Sequence, residues 1–315
     1  MSFAKVFLGV SVILSLVAPA SAQPVIAFHT ITNDIDIEAY GHHLELSDLT
    51  FEEEPWLTDS DIVTWDMSSG HIFLAGDKWR YLEKFDSSFS GKGYLPYHFK
   101  LFVVLVNGEP SFIGEFHSAV SSMAPRYPSI GDMGLRMAPD NALVMRSKSW
   151  DPKFVEALQD LGLYRAGLKV VVTDVRIKTD ETRSKSTIEF DIMLTNGDSD
   201  ELMILDPGLM APDFDGYRPW ILVELEGSNK HLVSEQMKRP GWRNEFNKDW
   251  LVRMPANGTL RSTLTYEIEH LDPGTYNCHL IYPGPKDVGN GDMSFGNARI
   301  WYGQVHSNEV KVRLE

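Results

Sequence analysis

Residues 186–195 read Ser-Thr-Ile-Glu-Phe-Asp-Ile-Met-Leu-Thr, and this stretch decides the fold class of the C-terminal part of the chain. Every second residue from Ile188 to Leu194 is apolar, and Glu189 and Asp191 stand between them. One face of the segment is therefore apolar and the other is largely charged. This period of two predicts a β-strand with one face in a core.

Seven further strand-like runs surround this one, and no segment among them has helical periodicity over a useful length. They are residues 168–177, 202–205, 220–225, 250–254, 260–268, 275–282 and 305–314. Eight short strands in about 150 residues, separated by turn residues, are typical of an antiparallel β-sandwich. The polar stretch 227–248 is predicted to be a long surface loop.

The chain upstream of residue 167 alternates between strand and helix signals. Its clearest strand signal is Asn107-Gly108, the strongest short hairpin dipeptide, between two runs of β-branched and aromatic residues. The predicted strands are residues 62–66, 71–74, 100–106, 111–116 and 142–146.

Two helices are predicted among these strands. The first begins at Asp77 and ends at Phe85. The second has Asp151 as N-cap, Pro152 at the first helical position and Gly162 at its end, which are the residues that these positions favour. Mixed helices and strands with an antiparallel hairpin predict an α+β domain.

The predicted organisation is an α+β domain at residues 23–166 followed by an all-β sandwich at residues 167–315. Few contacts are expected to cross a domain boundary. We therefore expect proteolysis to cut the chain between residues 163 and 169.

Residues 1–22 have the composition of a secretory signal peptide. One lysine precedes an apolar run at residues 6–18, and the A-x-A cleavage pattern follows at residues 20–22. The run is shorter than the roughly 20 residues that an ordinary membrane-spanning helix needs. We expect a periplasmic or secreted protein that begins near Gln23 and has no transmembrane segment.

The charge balance bears on the partners. Lys and Arg number 29 and Asp and Glu number 44, so the formal charge is −15. A surface this acidic repels phosphate backbones, which excludes nucleic acid as an expected partner.

Cys278 is the only cysteine, so an internal disulfide is excluded. It is either a buried packing residue or an exposed reactive thiol. Its position in alternation with Tyr276 and Leu280 favours the buried state.

The C-terminal part also carries a motif. Residues 272–278 read D-x-G-x-Y-x-C, which resembles the tyrosine corner and strand-F cysteine of immunoglobulin-like domains. Residues 301–310 are similar to the closing strand of such modules. The resemblance implies a disulfide-free immunoglobulin-like sandwich in which the hydroxyl of Tyr276 bonds to the backbone a few residues upstream. The hydroxyl of Tyr282, outside the motif, is expected to reach solvent.

The N-terminal part has a weaker resemblance, over about residues 59–130. The strands around Trp65-Asp66, His71-Ile72 and the Asn107-Gly108 turn resemble a pattern of exported bacterial proteins. They are also similar to the periplasmic head subdomain of the preprotein translocase subunit SecD. The resemblance implies a mixed α+β domain and nothing catalytic.

One candidate contact site lies in the polar loop of the second domain. Trp242 is flanked by Arg239 and Arg243, and an aromatic ring between two arginines on a surface loop is predicted to contact a partner.

A second candidate is acidic. Asp206, Asp213 and Asp215 precede Gly216, as in part of a calcium loop. Leu222 stands where the EF-hand pattern requires a glutamate. An acidic turn between strands is therefore expected, with a calcium site as the alternative.

The sequence contains no complete catalytic or metal-binding signature. His117 precedes Ser121-Ser122, but no G-x-S-x-G motif frames them. We therefore expect an exported non-catalytic binding or structural protein of the bacterial envelope. It would act through surface contacts with an unknown protein or envelope component and would need no cofactor. The alternative is a secreted hydrolase with acidic residues in an inter-domain cleft.

Overall fold

The computed structural model describes residues 23–33, 44–89, 100–118, 124–180, 185–208, 220–226, 231–233, 248–285, 294–295 and 297–315. The chain is mostly β, with several sheets. The predicted signal peptide, residues 1–22, lies outside the described residues. Among the described residues, no helix combines the length and apolar character that crossing a bilayer requires.

The N-terminal half (residues 23–166) is built on one mixed sheet. Its described strands are β1 (Ile26–Thr30), β2 (Leu57–Thr58), β3 (Ile62–Asp66), β4 (His71–Leu74), β5 (Lys100–Val106), β6 (Glu109–His117), β7 (Ser129–Gly131), β8 (Ala142–Arg146) and β9 (Tyr164–Arg165). Their order across the sheet is β2-β1-β5-β6-β7-β8-β4-β3-β9. The described helices are α1 (Lys78–Phe85), α2 (Asp132–Met137) and α3 (Pro152–Asp160).

The β5–β6 hairpin forms at the predicted turn. Asn107 and Gly108 both have positive φ, 53° and 82°. Two successive residues in this region match the right-handed twist of the flanking strands, which is why Asn-Gly is favoured there. The hairpin also contains a bulge, because Val104 pairs with Phe112 whereas its neighbour Leu105 pairs with Pro110.

An aspartate caps each of the two predicted helices. Asp151 is the N-cap of α3, as predicted, whereas Asp77 precedes α1 as its N-cap and is not in its first turn. The side chain of Asp77 accepts from the amide of Trp79, and that of Asp151 accepts from the amide of Lys153, both at 2.9 Å. One residue of α1 was not anticipated in the core. Lys78 is buried and its ammonium donates to the carbonyls before β8, at 2.8 and 2.9 Å.

Apart from one 3-10 turn, Lys248–Trp250, the described elements of the C-terminal half (residues 167–315) are strands. They are β10 (Leu168–Asp180), β11 (Lys185–Asn196), β12 (Leu202–Leu205), β13 (Trp220–Leu225), β14 (His231–Val233), β15 (Leu251–Met254), β16 (Thr259–Glu269), β17 (Gly274–Pro283), β18 (Ser294–Phe295), β19 (Ala298–Ile300), β20 (Gln304–His306) and β21 (Val310–Leu314). They form the sheets β10-β11-β16, β15-β12-β19-β18 and β14-β13-β17-β20, with β21 also on β17.

These sheets share one hydrophobic core, which includes Phe190, Tyr266 and Trp301. The alternation that predicted β11 is present, since its residues are buried at every second position. All eight predicted runs form strands. The last run forms two strands, β20 and β21. The prediction of a loop at residues 227–248 is wrong at residues 231–233, which form β14.

The two halves share a continuous contact. Phe73 and Val144 of the N-terminal sheet lie in one buried cluster with Met203, Ile300 and Tyr302 of the C-terminal half. The halves therefore contact each other through side chains, whereas no described sheet includes strands of both halves.

Candidate functional site

An open cleft of about 480 Å³ lies in the N-terminal half. Four segments form it: the residues before and within a short turn at Leu46–Asp48, the beginning of β6, the residues before β7 and the residues before α3. The described lining residues are Leu44, Glu45, Leu46, Ser47, Ser111, Phe112, Ile113, Tyr127, Pro128, Ser149, Trp150 and Asp151.

The cleft exists because β6 extends beyond its neighbour. β7 pairs with β6 only from Glu115 to His117, so the preceding part of β6 is not covered by β7. Ser111 is the extra residue of the bulge, and bulges re-aim the side chains of a strand. Its hydroxyl donates to the carboxylate of Asp151 at 2.6 Å, which ties the floor of the cleft to the beginning of α3.

One wall of the cleft is aromatic and anchored in the core. The rings of Trp150 and Phe112 are edge to face with centroids 6.0 Å apart, and Trp150 also meets the buried rings of Trp65 at 5.4 Å and Phe154 at 5.9 Å. Tyr127 stands in the lining as a third ring, and its hydroxyl accepts from the amide of Leu44 at 3.4 Å. These contacts hold the rings in place without a ligand.

The charge of the cleft is negative. Asp151 and Glu45 are the two carboxylates of its lining, and none of the described lining residues carries a positive charge. Glu45 is exposed and Asp151 is half-buried. No histidine or cysteine lines the described part of the cleft, so these residues contain neither a Ser–His pair nor a thiolate nucleophile.

No family model matches the chain, and no curated protein matches it.

A second polar cluster lies between the halves, and its two carboxylates are buried. Arg299 of β19 is 2.8 Å from the carboxylate of Asp66 at the end of β3, and it donates to Asp198 at 2.6 Å. Asp66 is 0% and Asp198 3% exposed. Burial alone lowers the pKa of the Arg299 guanidinium, but the charges of the two carboxylates outweigh it and raise this pKa above its ordinary value.

Ser68 connects this cluster to the backbone of both halves. Its hydroxyl donates to Asp66 at 2.6 Å and accepts from the indole of Trp301 at 2.9 Å and the amide of Leu168 at 3.1 Å. The close approach needs a glycine, since a Cβ on Gly167 would lie 2.2 Å from this hydroxyl. These bonds make the cluster a structural joint between the halves.

The acids between the halves bear on the hydrolase alternative. Asp66 and Asp198 share one arginine, and Asp66 also accepts from Ser69. Neither carboxylate is open to solvent, so this pair does not provide the acidic cleft that the alternative requires.

The predicted contact site, Arg239, Trp242 and Arg243, lies outside the described residues. So do Asp213 and Asp215 of the predicted acidic turn.

Asp206, the first acid of that turn, is described. Its side chain accepts from the amide of Gly208 at 2.8 Å, as in an acidic turn. Among the described residues, no group of three or more His, Cys, Asp or Glu is placed to hold a metal ion.

The hydrogen bond predicted for the hydroxyl of Tyr276 is present. The hydroxyl of Tyr276 donates to the carbonyl of Asp272 at 2.6 Å. The expectation for Tyr282 is wrong, because its ring is fully buried and its hydroxyl donates to the carbonyl of Leu205. Cys278 is buried, as favoured, and burial together with the charge of Glu309 raises the pKa of its thiol to about 12.

Neither the cleft nor the Asp66–Arg299–Asp198 cluster was predicted from the sequence. The run Asp66-Met-Ser-Ser is a local signal, because an aspartate commonly accepts hydrogen bonds from the next residues in a turn. Nothing local indicates Arg299 as its partner. The cleft had even less signal, since its four lining segments are far apart in the sequence.

Proposed function

We propose that this protein is an exported, non-catalytic binding protein of the bacterial envelope, and that the cleft of the N-terminal half is its binding site. The observation that carries the proposal is the aromatic wall of Trp150 and Phe112, which core contacts hold open beside the bulge at Ser111. Largely preformed clefts with apolar rings and a few convergent polar groups are the usual form of ligand sites.

The architecture forms part of the proposal. Residues 1–22 would direct export, and residues 23–166 would form the α+β ligand domain, with its similarity to exported bacterial proteins and to the SecD head. Residues 167–315 would form a disulfide-free immunoglobulin-like sandwich. The shared core of its sheets and the bond from Tyr276 to Asp272 support this assignment.

The sandwich would serve as a rigid support. The Asp66–Arg299–Asp198 joint and the apolar cluster beside it hold the N-terminal sheet against the C-terminal half. The partner would then be an envelope component that meets the cleft from outside.

The test is to block the cleft. Ser47 is an exposed lining residue and the second residue of a three-residue turn, so Ser47→Trp adds a bulky side chain at the rim without disturbing a core. Ser88 is likewise the exposed second residue of such a turn, Ser87–Phe89, outside the cleft, so Ser88→Trp is the matched control.

The measurement is ligand-observed NMR on the chain from residue 23, with an equal mixture of cationic, neutral and anionic aromatic fragments. We expect fragments to bind the unmodified chain and Ser88→Trp, and to lose binding in Ser47→Trp. Equal binding to both variants, or no binding to any chain, contradicts the proposed function.

A further inference from the structure

We propose that the cleft binds a small organic cation, an alkylated ammonium group carried on an apolar body. This inference rests on the proposed function, because it names the ligand class of the same site. Its four supports are the sign of the lining charge, the aromatic wall, the size of the cleft and the capped beginning of α3.

The formal charges of the described lining have one sign. Glu45 and Asp151 contribute two carboxylates, and the other ten described lining residues are neutral. Two like charges beside a low-dielectric aromatic wall produce a field that favours a cation. An anionic ligand would have to overcome both charges without a described cationic partner.

The rings of the cleft suit the same ligand. Trp150, Tyr127 and Phe112 each carry a negative π-face, and cations bind to such faces, most strongly to tryptophan. A fully alkylated, quaternary ammonium has no N–H donor and needs no hydrogen-bond acceptor, so its methyl groups can pack against these rings. A volume of about 480 Å³ is sufficient for a ligand of this kind.

The beginning of α3 does not oppose this charge preference. A helix N-terminus attracts anions. Here the carboxylate of Asp151 already accepts from the amide of Lys153, so the anion position is occupied by the protein itself. The other oxygen of Asp151 accepts from Ser111. Each oxygen therefore accepts one protein hydrogen bond, which fixes the carboxylate beside the cleft. A fixed negative charge favours a cation over a neutral polyol.

The test compares three probes of the same shape: choline, 3,3-dimethylbutan-1-ol and 3,3-dimethylbutanoate. The second replaces the ammonium nitrogen by carbon, and the third is an anion. Titrations at low ionic strength give the Kd of each probe by NMR. We expect choline to bind at least about 5-fold more tightly than the alcohol, and the anion to bind most weakly.

Variants separate charge from folding. Glu45→Gln removes an exposed lining charge, and we expect it to weaken choline binding about 2- to 5-fold without changing alcohol binding. Asp151→Asn retains a residue that can cap the helix and should weaken choline by a similar factor. Glu156→Gln, at an exposed position of α3 outside the lining, is the matched control and should leave both Kd values unchanged.

The outcomes distinguish this inference from the proposed function. Equal affinity for choline and the alcohol, with no effect of Glu45→Gln, overturns the cationic ligand class but leaves a cleft that binds ligands. If none of the three probes binds, the ligand class is likewise overturned. The fragment mixture and the Ser47→Trp variant then decide separately whether the cleft is a binding site.

Discussion

Two tyrosines on one face of β17 place their hydroxyls in different environments. Tyr282 is fully buried against the carbonyl of Leu205, whereas Tyr276 bonds to the carbonyl of the exposed residue Asp272. A buried acceptor that loses its donor cannot recover the bond from water. We therefore expect Tyr282→Phe to reduce the free energy of unfolding by about 1–3 kcal/mol, and Tyr276→Phe by about 0.5–1.5 kcal/mol.

Urea denaturation of the chain from residue 23 measures both values. Each substitution retains the ring and removes only the hydroxyl, so the change in stability reports the lost hydrogen bond and not a loss of packing. A larger loss for Tyr276→Phe than for Tyr282→Phe would contradict the assigned environments.

His71 gives a pH dependence. Burial lowers its pKa to about 4, despite the opposing charge of Asp66. Between about 4 and the ordinary value of 6.5, the unfolded chain binds a proton at His71 that the folded chain does not. We therefore expect the free energy of unfolding to fall as the pH decreases from 6.5 to 4, with up to about 1.4 kcal/mol per pH unit due to this residue.

Other groups titrate in the same range, so the comparison is with His71→Gln. Urea denaturation at several pH values should give a shallower slope for the variant. Equal slopes for the two proteins would show that His71 is already protonated, or exposed, in the folded state.

Hydrogen bonds hold the segment that links the two halves, residues 163–167. Leu163 and Arg165 accept from the amides of Trp65 and Met67, at 2.8 and 2.9 Å, and the amide of Gly167 donates to Asp198 at 2.8 Å. A protease must pull its substrate into an extended strand, which these bonds oppose. We now expect trypsin to leave the bond after Arg165 intact in native buffer and to cut it in urea.

Mass spectrometry of the peptides identifies the cut. The digestion in urea is the control that the site is cleavable. Rapid cleavage after Arg165 in native buffer, giving two stable fragments, would contradict this expectation. It would support the two loosely joined domains that the sequence predicts.

Strands were predictable where local chemistry determines them. Alternating burial in β11, the Asn-Gly turn and the Asp151 cap each depend on neighbouring residues, and each formed where predicted. β14 and β19 were missed because each has three residues, too few for a period to appear. Lys78 was missed because its burial depends on the carbonyls of Ala138 and Pro139, sixty positions away.

The cleft was not predictable for a related reason. It depends on the length of β7 relative to β6 and on a one-residue bulge at Ser111. Neither feature has a composition signal. Trp150 belongs to the core and to the cleft at once, since it packs against Trp65 and Phe154 while also lining the cleft.

Arg299 pairs with one carboxylate from each half of the molecule and so helps to hold the halves together. Arg299→Met retains a long side chain and leaves two buried carboxylates without their cation. Breaking a buried ion pair from one side costs about 3–5 kcal/mol. We expect a loss of that size in the free energy of unfolding, measured by urea denaturation with a fluorescence probe.

Arg253→Met is the matched control, because Arg253 pairs with Glu201 at 3.0 Å on the surface and is itself 50% exposed. Exposed pairs contribute about 0–1 kcal/mol. Equal effects of the two substitutions would contradict the structural role of the joint.

If the cleft beside Trp150 is the binding site, the indole NMR signal of Trp150 responds to a bound ligand. The chain has eight tryptophans, and Trp150→Phe identifies the signal of Trp150. Trp301, buried in the joint between the halves, is the internal reference. On titration with the fragments that bind, we predict a saturable shift of the Trp150 indole signal and none for Trp301. Binding that moves other indole signals and leaves that of Trp150 unchanged would contradict the account.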